Sequence, residues 1–62
     1  MFRCTEWEIL EAMEMYGGSF VQQLARLYRA ADADNRQTLA ASFAKYFTKY
    51  DDLAAARKEK QS

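Results

Sequence analysis

From Leu39 to Leu53 the apolar positions read Leu39, Phe43, Tyr46, Phe47, Tyr50 and Leu53, in steps of three and four. On a helix that spacing puts all six on one stripe. The stripe holds four of the chain's nine aromatic residues, the side chains that bury the most area. It predicts a helix over about 33–57, with Phe43 in the core and the other helices arranged to cover it. Upstream, Ile9, Leu10, Met13 and Tyr16 make a stripe over about 5–16. Phe20, Val21, Leu24, Leu27, Tyr28 and Ala31 make another over about 20–31, with Gln22, Gln23, Arg26 and Arg29 opposite. Two short links favour antiparallel neighbours. The expected fold is all-α: one small three-helix bundle with a long C-terminal helix and a frayed tail at 58–62.

The punctuation agrees with these elements. Thr5 and Glu8 have capping-box spacing, and Phe2, ahead of the cap, is expected to pack against Ile9 as the outer half of a hydrophobic staple. Gly17-Gly18 is expected to end the first helix in the left-handed conformation that glycine adopts at low cost. Ser19 is a candidate cap for the second helix. Asp32 or Asp34 could cap the third, and Asp32 would leave Asp34 in the acid-friendly first turn. The stripe needs no break at Tyr50-Asp51-Asp52, because Leu53 and Ala54 continue its spacing, although a kink there stays open.

Composition sharpens the picture. The chain has 62 residues, half of them apolar, with two glycines and no proline. That suits helices rather than a turn-rich β fold. It also makes the core marginal, since so short a chain buries only roughly 60% of its unfolded surface. There is no histidine and one cysteine, Cys4. Nucleophile–imidazole pairs, an internal disulfide and most zinc sites are thereby excluded. A single thiol fits a reducing compartment, and a cytoplasmic location is expected. No apolar run approaches the ~20 residues of a membrane span. The acidic residues from Glu6 onward are unlike the basic head of a signal peptide.

Other motifs fail on inspection. Asp32, Asp34 and Asn35 match the opening of a calcium loop, but Gln37 stands where glycine is required and Arg36 occupies a ligand position. Capping is the expected role. Asp51-Asp52 reads as a solvated pair, with no apolar pocket in view to raise a carboxyl pKa. Gly17-Gly18-Ser19 lacks the Lys-Ser/Thr and the preceding strand of a phosphate loop. No enzyme and no cofactor is implied.

Charge divides the chain. Residues 1–19 carry one basic and four acidic residues, and residues 20–62 carry eight basic and five acidic. The first segment can therefore lie against the rest with favourable contacts, or the two can mark different surfaces. Two surfaces stand out. The back of the first helix holds Trp7, Glu8, Glu11, Glu14 and Met15, a Trp and a Met among carboxylates that suit a basic protein partner. Packing of Trp7 over the core edge is the alternative. The second and third helices present Arg26, Arg29, Gln37, Lys45, Thr48 and Lys49, a helix-turn-helix-like arrangement for nucleic acid. Zero net charge and the absence of a turn glycine weigh against it. A homodimer is a further option, because the third helix is long for a chain with so little to cover it.

Residues 17–50 also resemble small bacteriophage and prophage proteins. The likeness lies in Phe20-Val21, in Leu-x-x-Leu-Tyr-Arg over Leu24–Arg29, and in Ala-Asp-x-x-Asn over Ala31–Asn35. Leu39, Phe43 and Tyr46 complete it. Ala33 departs from the proline expected at N1 in such sequences, though it is compatible with the same cap. The resemblance carries no functional residues. It implies an accessory protein that binds a host or phage protein, including inhibitors of CRISPR-type defence complexes, and more weakly a subunit of a phage assembly.

Overall fold

A computed structural model describes residues 2–61. They form four helices: α1 (Glu6–Tyr16), α2 (Ser19–Ala30), α3 (Ala33–Ser42) and α4 (Ala44–Gln61). No strand occurs among the described residues. The expected third helix is two helices, divided at Phe43, and α4 continues through Gln61 where a frayed end was expected beyond 57.

The division follows from coverage. Phe43 leaves the helical region at φ −118° and ψ 34°. Its N–H still donates to Leu39 O at 2.9 Å, and its own carbonyl restarts the ladder by accepting from Tyr46 and Phe47. A straight stripe from Leu39 to Leu53 would run roughly 21 Å, longer than the ~16 Å of α1. The thinnest dimension of the molecule is 18 Å, about two helix diameters. So thin a body cannot cover the whole stripe. The bend turns Phe47 and Tyr50 into the core and leaves Leu39, Phe43 and Tyr46 half-buried beside it. Leu53 is exposed, and Ala54 takes its place inside. α4 runs without interruption through Asp51.

The centre of the core is α1. Ile9, Leu10 and Met13 are its largest fully buried side chains, and Ala12 is buried with them. Val21, Leu24, Ala25 and Tyr28 of α2 close one side; Phe47, Tyr50 and Ala54 of α4 close the other. Tyr28 and Phe47 meet across it with ring centroids 5.2 Å apart. α3 contributes no buried residue.

The helix ends are well partnered. Thr5 and Glu8 form the capping box, Thr5 Oγ1 accepting from Glu8 N–H at 3.2 Å and Glu8 Oε1 from Thr5 N–H at 2.9 Å. Asp32 caps α3 by accepting from Asn35 N–H at 2.9 Å. Neither glycine takes a positive φ. Gly17 is required by space instead: a Cβ there would lie 2.5 Å from both Met13 O and Val21 Cγ1. Ser19 is the first residue of α2 rather than its cap, which is Gly18. Gln22 of α2 reaches back to donate to the carbonyls of Glu14 and Gly17, at 3.3 and 3.2 Å, finishing the end of α1.

Asp51 corrects the expectation of a solvated pair. It is 4% exposed. Its carboxylate accepts from Cys4 N–H at 2.8 Å and Arg3 N–H at 3.1 Å, tying the N-terminal segment to α4. Burial pushes this carboxyl up, but the two N–H donors and the nearby Arg3 charge outweigh it and hold it below the ordinary value. Asp52 stays exposed and pairs with the Arg3 guanidinium. The Cys4 thiol is buried and free, donating to Asp51 O at 3.7 Å, and burial raises its pKa.

Candidate functional site

The acidic back of α1 is occupied from within. Glu8 pairs with Lys58 at 3.0 Å, Glu11 with Arg57 at 2.8 Å and Glu14 with Arg29 at 2.9 Å. Glu6 adds Arg36 at 3.7 Å and accepts from the Tyr28 hydroxyl at 2.8 Å. All four acidic residues of residues 1–19 thus face cations from the later segment, the first of the two arrangements the charge division allows. Glu8 is held below the ordinary carboxyl value by the Thr5 backbone bond and by Lys58.

Trp7 is half exposed but not bare. The guanidinium carbons of Arg29 and Arg36 each lie 5.5 Å from its ring centroid. Arg36 also donates to the carbonyls of Tyr28 and Arg29, at 3.0 and 3.1 Å, closing the C-terminus of α2. Met15 is exposed, with Arg57 Nη1 at 3.1 Å from its sulfur. The five residues therefore share one helix face, but each carboxylate among them already has a cation and the Trp ring carries two.

The helix-turn-helix-like set is dispersed. Gln37 stands on α3, while Lys45, Thr48 and Lys49 stand on α4 beyond the break, so no single recognition helix carries them. Arg29 is drawn to Glu14 and Trp7. Arg26, Lys45 and Lys49 are exposed and make no ion pair among the described residues. Lys45 lies over Tyr46 at 5.2 Å and Lys49 over Tyr50 at 5.6 Å.

The site that the residue pattern hides is the open side of the α2–α3 hairpin. Phe20 and Leu27, both assigned to the core by spacing, are 56% and 55% exposed. They lie seven residues apart, two helical turns along one side of α2. Phe20 meets Phe43 with ring centroids 5.9 Å apart and Tyr46 at 5.5 Å. Leu27 and Leu39 line an open groove of about 400 Å³ between α2 and α3, with Ala30, Ala31, Asn35 and Thr38. Aromatic trio and groove together make one apolar strip. A signal for it was present: the apolar residues of α2 spread from Phe20 and Leu27 round to Val21 and Ala25, an arc too wide for two short neighbours to cover.

Asp32 and Asp51 are engaged in capping and anchoring, and no group of three or more Cys, Asp or Glu among the described residues is placed to hold a metal ion. Among the described residues no helix is long and apolar enough to cross a membrane. No protein-family model, curated protein or solved structure matches the chain.

Proposed function

We propose that this chain is a non-enzymatic accessory protein of phage type that acts by binding another protein. In its sharp form the partner is a component of a bacterial defence complex in the cytoplasm, and binding inhibits it. The sharp form rests on the resemblance over residues 17–50. The general form rests on one observation: two large apolar side chains, Phe20 and Leu27, stand more than half exposed on a strip continuous with Leu39, Phe43 and Tyr46. A contiguous exposed apolar strip on so small a protein is the usual mark of a contact surface. The strip supports this role better than the back of α1, whose carboxylates are neutralised internally.

Capture from a bacterial lysate with the parent, with Phe20→Asp/Leu27→Asp and with Trp7→Ala tests it. Loss of the captured protein in the first variant and retention in the second supports the hairpin surface. The opposite pattern returns the function to the back of α1. A nucleic-acid module is the second reading, favoured by Arg26, Lys45 and Lys49, which are exposed and in no ion pair among the described residues. A DNA shift that weakens steeply with salt and vanishes in Lys45→Glu/Lys49→Glu would establish it.

A further inference from the structure

We propose that the α2–α3 strip receives an amphipathic helix of a partner protein whose apolar stripe is edged by carboxylates. This rests on reading the hairpin as the protein-binding surface, and it adds the chemistry of the occupant. The shape comes first. The groove between α2 and α3 is open on one side, and Phe20 and Leu27 mark about 10 Å of its edge along α2. Side chains at i, i+3, i+4 and i+7 of an incoming helix match that length.

Charge then selects the occupant. The residues that line the strip include no carboxylate. Asp32, at the closed end of the hairpin, is engaged with Asn35 N–H. Asp34 falls about 140° round α3 from Leu39, on the far side. At the other end Lys45 lies over Tyr46, and Lys49 follows one turn along α4. Both line a groove with Asp52, whose carboxylate pairs with Arg3, and neither lysine has an acidic partner in any ion pair among the described residues. Every acidic residue of α1 has a cation, while these two lysines are in no ion pair among the described residues. An apolar strip with a net basic edge, Asp52 being matched by Arg3, attracts an acidic-edged partner and disfavours a basic one. It also disfavours a second copy of itself. A two-fold contact sets the same patch against itself, placing four lysines at one interface with no carboxylate in either strip.

Two fluorescein-labelled synthetic helices of one Leu stripe, one edged with Glu and one with Lys, test this by fluorescence anisotropy at low salt. The expected result is that the Glu-edged helix binds the parent at least about tenfold more tightly than the Lys-edged one. Phe20→Asp/Leu27→Asp abolishes binding of both, and Lys45→Glu/Lys49→Glu reverses the preference. All four side chains are exposed, so circular dichroism should match the parent's in each variant. Equal affinity for the two helices, binding unaffected by the Phe20 and Leu27 changes, or no binding overturns the proposal. So does sedimentation showing a parent dimer that the Phe20 and Leu27 changes disperse. If lysate capture still depends on Phe20 and Leu27 while the Glu-edged helix shows no advantage, the acidic occupant is wrong and the protein-binding surface stands. If capture is indifferent to both residues, the surface itself is wrong.

Discussion

α1 and α3 are nearly equal in length, at eleven and ten residues, and opposite in environment. Four residues of α1 are buried, three of them large and fully enclosed, whereas α3 has none. α1 is held by packing. α3 is held by the Asp32 cap, by Arg36 reaching across to α2, and by the half-buried faces of Leu39, Ala40 and Phe43. The contrast teaches that a chain of this size closes one helix completely only by leaving another open. The open one keeps its apolar side chains available.

Substitutions should separate the two regions. The largest effect is expected at Leu10. Leu10→Ala should cost about 2–5 kcal/mol in a urea melt, enough to unfold much of so small a domain. A loss as small as that of an exposed position would remove α1 from the centre. Asp51→Ala should cost about 1.5–3 kcal/mol, because it strips a charged acceptor from the buried Cys4 N–H and the part-buried Arg3 N–H. The same carboxyl sets a pH dependence. Its folded pKa lies below the ordinary value, so its stabilisation is full above the ordinary carboxylate range and is lost as pH falls through the folded value, below about pH 4. Asp51→Asn should flatten that acid limb of the stability curve; an unchanged limb would assign it to other carboxylates. Asp32→Ala should cost about 0.5–2 kcal/mol, the loss of a cap, and should shorten α3 by circular dichroism without loosening α1. Smallest is Leu27→Ala, expected within about 0.5 kcal/mol of the parent because the side chain is mostly in water. A drop comparable to Leu10→Ala would place Leu27 in the core and close the strip.

Much of this fold was legible in the residues. Helix class, the Thr5–Glu8 box, the Asp32 cap and Ile9, Leu10 and Met13 of the α1 stripe follow from periodicity and local hydrogen-bonding chemistry, which act over a few residues; Tyr16, read as the fourth member of that stripe, is exposed at the helix end. What was not legible depended on competition for cover. The steps from Leu39 to Leu53 are helical throughout, and no glycine or proline marks the break at Phe43. The break arises because two short helices cannot span the stripe, a property of the whole molecule. Asp51 is similar: its neighbours read as polar, and only the fold brings the N–H groups of Arg3 and Cys4 to it. The candidate site was half visible. The charge division left two arrangements open, α1 lying against the basic segment or the two marking separate surfaces. It did not show that contact would neutralise the acidic face while leaving Phe20, Leu27, Lys45 and Lys49 exposed.

Residue-resolved native-state hydrogen exchange tests this partition most directly. The account predicts that the amides of Leu10 to Met13 exchange only through global unfolding, while those of Arg36 to Ala41 exchange through local opening at much lower free energy. Equal protection in the two helices would contradict it, because α3 would then be as closed as α1 and the strip beside it would not be an open surface.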